Sequence, residues 1–191
     1  MTGNYVGDPL TFLIQTLFHL YILAVMLRFL LQLVRADFYN PICQFLVRVT
    51  HPPLAPLRRL LPSIGRADTA SIVLMLMLQF IALALVVVIA GRSINAGFLL
   101  VYSVAELVNL LLNVFLFTVL IRVILSWINP GSHHPAVDLL HSLTEPLLGP
   151  ARRLIPPIGG LDLSPIAVLI GIQVVKMLVV PPLQQMAFAV G

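Results

Sequence analysis

Arginines in and beside long apolar segments are the main candidate functional residues of this sequence. Arg28 and Arg122 each lie within a long apolar segment, and the pairs Arg58-Arg59 and Arg152-Arg153 each shortly precede another such segment. An arginine at the centre of a membrane span costs about 2.5–3.5 kcal/mol on insertion scales. An arginine beside an anionic lipid surface instead gains about 1 kcal/mol. These side chains therefore offer two kinds of chemistry, which are hydrogen bonding inside a membrane protein and contact with lipid phosphates.

Patterns typical of enzymes and metalloproteins are absent from the sequence. It contains no GxSxG, HExxH, GxGxxG or Walker motif and no paired carboxylates within an apolar segment. His133, His134 and His141 lack the spacing of a helical metal site, and His19 would need a second intramembrane histidine, which only a dimer could supply, to hold a haem. The lone Cys43 excludes an internal disulfide and a cysteine-based zinc site. We expect a protein that is not an enzyme and that has no metal or cofactor.

The composition indicates an integral membrane protein. Hydrophobic residues make up 60% of the 191 residues and charged residues only 9%, against about 25% charged residues in a soluble domain. The formal charge is +4, but no basic cluster is interleaved with aromatic residues, so direct binding of nucleic acid is not expected. Because a bilayer core of about 30 Å requires about 20 apolar residues in a helix, we predict spans at residues 10–34, 70–90, 106–128 and 164–181.

The distribution of lysine and arginine predicts the orientation of these spans. The connection between the first two spans contains five arginines and the connection between the last two contains Arg152 and Arg153, whereas neither tail contains any. We therefore expect the two Arg-rich connections on the cytoplasmic side of the membrane and both termini outside.

An internal repeat divides the chain into two similar units, residues 1–96 and 97–191. A shift of 94 positions aligns Arg28 with Arg122 without a gap over about 50 residues, and it also aligns Pro41 with Pro135, Thr50 with Thr144, Arg58-Arg59 with Arg152-Arg153, and Asp68 with Asp162. Each unit contains two spans, so both units insert with the same orientation. This predicts a parallel pseudo-two-fold axis along the membrane normal, unlike the inverted repeats of many transporters.

Each connection within a unit is predicted to contain a short amphipathic helix. Asn40-Pro41 and His134-Pro135 place a capping residue before a proline at the first helical position. Apolar residues then recur at helical spacing, as in helices that lie in the membrane interface. A proline-punctuated stretch with the arginine pair is expected after each helix. The predicted fold is an all-α membrane protein of four transmembrane helices, arranged as two tandem hairpin repeats that each carry an interfacial amphipathic helix.

Two interpretations of Arg28 and Arg122 are open. Each lies six residues from the cytoplasmic end of its span, about 9 Å at 1.5 Å per residue, so its side chain could snorkel to the interface. Alternatively, each guanidinium binds the carboxylate or the carbonyls at the start of the second span of its own unit, with Asp68 and Asp162 as the named partners, and locks the hairpin. These aspartates are also expected to cap the following helices, with Ser164-Pro165 as a second cap.

The second unit carries a longer motif that resembles a known family. It contains, in order, Arg122, Ser126-Trp127, Thr144, Pro146, Pro150, Arg152-Arg153, Pro156, Gly159-Gly160, Asp162 and Ser164-Pro165. This run closely resembles the YggT family, also called YlmG, of small bacterial and plastid membrane proteins. The first unit matches more loosely over residues 28–79, because Gln32-Leu33 replaces Ser-Trp, Arg66 replaces the second glycine and Ala70-Ser71 replaces Ser-Pro. Roles that depend on those residues are assigned only to the second unit.

The resemblance implies a non-enzymatic assembly or scaffold factor of the bacterial inner membrane, connected with cell division, nucleoid distribution or cytochrome assembly. On this interpretation Arg58, Arg59, Arg152 and Arg153 bind anionic lipid headgroups or protein partners. The alternative is a small oligomeric transporter or channel in osmotic or ion homeostasis. Glu106, Asn109 and Asn113 could line its path or instead join helices by hydrogen bonds. Within residues 72–90 of the second span Gln79 is the only polar residue, which weakens the transport interpretation.

Overall fold

Long apolar segments and shorter proline-bearing segments both form α-helices in the part of the chain that the structure describes. The structure, a computed structural model, describes residues 7–128, 134–155 and 162–190. Within these residues the helices are α1 (Gly7–Leu33), α2 (Pro41–Leu60), α3 (Thr69–Ile89), α4 (Ala96–Ile128), α5 (Pro135–Leu154) and α6 (Ser164–Val190). The described chain has no β-strand, and a single β-bridge between Ile64 and Ala67 closes the turn from α2 to α3. The all-α prediction is confirmed.

Four of the helices, α1, α3, α4 and α6, are long and apolar enough to cross a membrane. Two of them are longer than predicted, because α4 begins at Ala96 rather than near Glu106 and α6 continues through Pro181 and Pro182 to Val190. Aromatic packing holds these added turns together, since the ring of Phe98 in α4 lies 5.2 Å from the ring of Phe188 in α6. The helix that forms the fourth span therefore extends beyond Pro181, whereas the bounds of the span in the membrane stay a prediction.

The connecting helices α2 and α5 begin where the sequence predicts. The Asn40 Oδ1 atom accepts a hydrogen bond from the backbone N–H of Ile42 at 2.9 Å. The His134 Nδ1 atom accepts one from the N–H of Ala136 at 3.2 Å. Each helix buries one face, formed by Cys43, Leu46, Thr50 and Leu54 in α2 and by Leu139, Leu143, Thr144 and Leu148 in α5.

Both connecting helices continue through their prolines, whereas the sequence predicts a separate proline-punctuated stretch after each helix. Pro52, Pro53 and Pro56 lie inside α2, and Pro146 and Pro150 lie inside α5. Each proline lacks the N–H that would bond the carbonyl four residues earlier. The Tyr21 hydroxyl of α1 donates to the Val49 carbonyl at 3.1 Å and so satisfies the group that Pro53 leaves free. As a result, both arginine pairs lie in the last turn of a helix, where a positive charge interacts favourably with the helix dipole.

The two units have the same internal packing but do not join symmetrically. In each unit the two spans pack together and the connecting helix contacts both of them. The three helices in mutual contact are α1, α2 and α3 in the first unit and α4, α5 and α6 in the second. The units meet mainly through α3 and α4. A two-fold axis would require an equivalent contact between α6 and α1, and the described parts of these helices make none. The contacts between the units therefore do not follow the predicted pseudo-two-fold axis.

Candidate functional site

Arg28 is the centre of a buried polar cluster in the first unit. Its side chain is 4% exposed, and its guanidinium donates to Thr50 Oγ1 at 2.8 Å and to the Val47 carbonyl at 3.4 Å. The Thr50 hydroxyl in turn donates to the Leu46 carbonyl at 2.6 Å. A threonine of α2 thus provides the closest acceptor for the charge that α1 carries into the protein.

The second unit repeats this cluster and adds a carboxylate. Arg122 donates to Thr144 Oγ1 at 2.6 Å, and the Thr144 hydroxyl donates to the Leu140 carbonyl at 2.6 Å. Arg122 also donates to Glu145 Oε2 at 3.0 Å. The first unit has His51 at the position equivalent to Glu145. This one substitution gives the second cluster an ion pair that the first lacks.

The hypothesis that Arg28 and Arg122 bind Asp68 and Asp162 was wrong. The Nε atom of Arg58 donates to Asp68 Oδ2 at 3.0 Å, and the Nε atom of Arg152 donates to Asp162 Oδ2 at 3.0 Å. Because α2 and α5 remain helical to the arginine pairs, the first arginine of each pair lies beside the start of the next span. Arg28 and Arg122 lie deeper and face the threonines instead. The first arginine of each pair therefore binds the aspartate within its own unit.

The two aspartates cap their helices differently from one another. The carboxylate of Asp68 occupies the capping position of α3 but makes no cap bond to the backbone, because it accepts hydrogen bonds from Arg58 and, at 2.7 Å, from the Ser71 hydroxyl. Burial raises the pKa of Asp68, but the hydrogen bonds from Arg58 and Ser71 outweigh this effect and lower it overall. Asp162 Oδ1 does accept from the Ser164 N–H at 2.9 Å. Asp162 thus bonds the first backbone N–H of α6 from the residue before Leu163, which directly precedes the helix, whereas the Asp68 side chain makes no backbone bond to α3.

The second cluster is the more open of the two and forms a chain of alternating charges. Glu145 joins Arg122 to Arg152, whose guanidinium donates to Glu145 Oε1 at 3.2 Å and also binds Asp162. Burial raises the pKa of Glu145, but hydrogen bonding from Arg122 and the charge of Arg152 lower it overall. Sequence reasoning missed this carboxylate. Its spacing of two helical turns from Arg152, which places both on one face of α5, is the signal that could have found it.

A cavity of about 530 Å³ adjoins this chain of charges between α4, α5 and α6. Its polar lining is formed by Arg122, Ser126, Arg152 and Asp162, and Pro165 lies with the apolar lining residues. The corresponding space in the first unit is about 250 Å³ and is lined partly by Gln32, Arg58 and Asp68. The second unit therefore has the larger polar cleft, which combines guanidinium groups suited to phosphate or carboxylate with an apolar wall.

The remaining predicted site residues are distributed around this cluster. Thr144 and Ser164 are fully buried, whereas Pro146 and Pro150 are exposed on α5 and Trp127 lies in the last turn of α4. Pro156, Gly159 and Gly160 lie outside the described residues. Arg59 and Arg153 are exposed, and among the described residues neither makes an ion pair.

Polar residues within α4 and α6 join these two helices. The Lys176 ammonium donates to Asn113 Oδ1 at 2.6 Å, and the Gln184 amide donates to Glu106 Oε1 at 3.2 Å. Glu106 and Asn113 therefore link helices, as one of the two interpretations predicts, and Glu106 also lines a cavity between α1, α3 and α4. In a membrane span such bonds supply the polar partners that lipid cannot.

The fold and the two clusters together define a class of membrane protein, built from tandem helical hairpins whose connecting helix binds an arginine of the first span and an aspartate before the second. The family model described as CCB3/YggT matches residues 7–89 and 101–183, with the same 94-residue offset as the internal repeat. The chain therefore belongs to the CCB3/YggT family.

Similar proteins extend over nearly the whole chain. An uncharacterized protein of Pseudomonas aeruginosa is 47% identical over 92% of this chain and 90% of its own length. The protein named YggT in Escherichia coli K12 is 38% identical over 93% of this chain and 92% of its own length. A YlmG homolog of Arabidopsis thaliana chloroplasts is 42% identical over 29% of this chain and 22% of its own length. No solved structure gives a significant match.

Proposed function

We propose that this protein is a non-enzymatic assembly or scaffold factor of the bacterial inner membrane, and that the ends of α2 and α5 bind lipid headgroups or protein partners in the cytoplasm. The observation that carries this proposal is the different use of neighbouring arginines. Arg58 and Arg152 bind aspartates within their own units. Arg59 and Arg153 are exposed and, in the part of the chain that the structure describes, make no ion pair.

Exposed apolar residues beside these arginines support a position in the membrane interface. Leu60 is 78% exposed and directly follows Arg59, and Leu154 is 82% exposed and directly follows Arg153. Phe45, on the outer face of α2, is 62% exposed. Basic and large apolar residues side by side are typical of helices that bind a lipid surface. The partners that the family resemblance implies belong to cell division, nucleoid distribution or cytochrome assembly.

Lipid retention by the purified full-length protein tests the lipid part of the proposal. The double variant Arg59→Glu, Arg153→Glu should retain less phosphatidylglycerol than wild type in native mass spectrometry, with affinity at least about fivefold weaker at each site, since each arginine contributes about 1 kcal/mol. Arg92→Glu is the matched control because Arg92 is exposed in the link between α3 and α4. Equal lipid retention in wild type and the double variant, or an equal loss in the control, would contradict the proposal.

Cross-linking in cells tests the partner and the orientation. Cross-linkers placed beside Arg59 and Arg153 should capture division, nucleoid or cytochrome-assembly proteins from the cytoplasmic side in wild type but not in the double variant. Fusion of a compartment-specific reporter to each terminus should place both termini outside. A reporter active in the cytoplasm at either terminus would contradict the proposed orientation.

A second candidate function, a small oligomeric transporter or channel in osmotic or ion homeostasis, has one observation in its favour. A polar cavity lies between α1, α3 and α4 and contains Glu106 and His19. Ion flux in proteoliposomes that depends on Glu106 would support this function, and the absence of flux would contradict it.

A further inference from the structure

The 94-residue offset also relates polar residues inside the spans. Gln15 and His19 of α1 align with Asn109 and Asn113 of α4, and Ala82 of α3 aligns with Lys176 of α6. In the second unit the ammonium group of Lys176 binds Asn113 Oδ1 at 2.6 Å. In the first unit the equivalent polar residue is His19, but the equivalent of the lysine is an alanine.

A cavity occupies this position in the first unit. It has a volume of about 200 Å³, and its lining includes Gln15, His19, Gln79, Ala82, Tyr102 and Glu106. Since a water molecule takes up about 30 Å³ in the liquid, this space holds an ammonium-sized ion together with a few waters. The first unit thus has a polar cavity where the second unit has the amine of Lys176.

The cavity carries an unbalanced negative charge. Glu106 lies about 15 Å along α4 from its first residue, at 1.5 Å per residue. Its carboxylate accepts from the neutral amide of Gln184, and it makes no ion pair within the described residues. Charged groups within a membrane protein usually pair with one another or line a functional site, because their burial in lipid is costly. A cation in the cavity would balance this carboxylate.

The other lining groups present hydrogen-bond acceptors. His19 Nδ1 lies 3.1 Å from the Gln15 carbonyl, which only accepts. Nδ1 therefore donates in this contact, which in the neutral tautomer of the imidazole leaves Nε2 as an acceptor. Gln79 is 3% exposed and lines the cavity with its amide group, and Tyr102 lines it with a hydroxyl that donates to Glu106 and keeps its oxygen lone pairs as acceptors. The set combines one carboxylate with neutral oxygen and nitrogen acceptors.

We propose that this cavity between α1, α3 and α4 binds a small monovalent cation of the ammonium type, in the place that the Lys176 amine fills in the second unit. An ammonium ion donates hydrogen bonds in several directions, as the lysine amine does, and the acceptors come from three helices. A divalent ion is disfavoured because Mg²⁺ is usually bound by several oxygens in strict octahedral geometry. No group of three histidine, cysteine or acidic residues that could hold a metal occurs among the described residues.

Ammonium titration of the purified full-length protein tests this site. Calorimetry at constant ionic strength should detect binding of ammonium and methylammonium, with sodium chloride as the reference salt. Glu106→Gln should weaken the binding at least about tenfold, which corresponds to 1.4 kcal/mol. The variant Arg59→Glu, Arg153→Glu should bind ammonium as wild type does, so the two proposals can fail separately.

A tethered amine provides a second, independent variant. Ala82→Lys gives the first unit the lysine that the second unit has at the equivalent position, Lys176. The variant should therefore fold, have a higher melting temperature than wild type and no longer bind ammonium. Leu85→Lys is the matched control because Leu85 is 38% exposed on the same helix, and it should lower the melting temperature. If Ala82→Lys behaves like Leu85→Lys, or if ammonium binding survives in Glu106→Gln, the proposed site is wrong.

A lipid amine offers the same chemistry as the free ion. The titration is therefore run in vesicles of phosphatidylglycerol alone and in vesicles that also contain phosphatidylethanolamine. Glu106-dependent binding of ammonium in phosphatidylglycerol alone supports the free ion as ligand. Equal heats with ammonium chloride and sodium chloride in both membranes would overturn the proposal.

Discussion

Thr50 and Thr144 allow the two arginine clusters to be compared by one matched substitution. Thr50→Val preserves the shape of the side chain but removes the oxygen that accepts from Arg28 at 2.8 Å. Arg28 is then left with the Val47 carbonyl, 3.4 Å away. Thr144→Val removes the equivalent acceptor at 2.6 Å, but Arg122 keeps its ion pair with Glu145 at 3.0 Å.

The expected cost of each substitution follows from these contacts. A hydrogen bond to a charged group contributes about 1.5–3 kcal/mol to stability. Thr50→Val should lower the free energy of unfolding by about this full amount, because Arg28 is only 4% exposed and has no other short bond. Thr144→Val should cost about 0.5–1.5 kcal/mol, the range for an ordinary hydrogen bond, because the Glu145 carboxylate still stabilises the guanidinium.

The assay is reversible unfolding of the full-length protein in mixed micelles, titrated with a denaturing detergent. Wild type, the two single variants and the double variant are compared, and the two effects should add because the sites share no partner. Adding His51→Glu to Thr50→Val places a carboxylate at the position equivalent to Glu145 and should restore part of the lost stability. An equal cost at both sites, or a larger cost at Thr144, would contradict the role of Glu145 as the second partner of Arg122.

Two further predictions concern acid sensitivity and helix packing. Asp68→Asn should lower the free energy of unfolding at neutral pH and flatten its dependence on acid. The pKa of Asp68 is lower in the folded protein than in the unfolded chain, so its carboxylate stabilises the fold at pH values above the unfolded pKa of about 3.9. This contribution is lost as the pH falls through the folded pKa. Thermal melts across this pH range measure the effect, and parallel profiles for wild type and variant would contradict it. Gly171→Ala should raise the free energy of unfolding by up to about 1 kcal/mol through helix propensity, since a Cβ there meets no atom within 4 Å. Gly97→Ala should lower it, since its Cβ would lie 2.8 Å from Val190 Cγ1, and a change of the same sign in both variants would contradict the packing.

Local patterns were sufficient for the membrane class, the four spans, the duplication and the starts of the connecting helices. Span prediction needs only the length of an apolar segment, and a cap followed by a proline acts within one turn. The ends of the helices were not predictable in this way. α2 continues through Pro53, and the Val49 carbonyl that this proline leaves free accepts a hydrogen bond from Tyr21. Tyr21 lies 32 positions before Pro53 in the sequence. α6 passes Pro181 because its end packs against the start of α4.

The sequence alone also identified the arginines, the threonines and the aspartates of the two clusters, because they recur at one offset. Which of them bind each other was decided only by the tertiary structure. A hydrogen bond requires a donor–acceptor distance of about 3 Å. The position of α1 along α2 brings the guanidinium of Arg28 to the hydroxyl of Thr50, and Asp68 is bound by Arg58 instead. The second arginine of each pair is exposed and, within the described residues, makes no ion pair. Periodicity assigns residues to the membrane or to its surface, whereas contacts between helices assign each charge its partner.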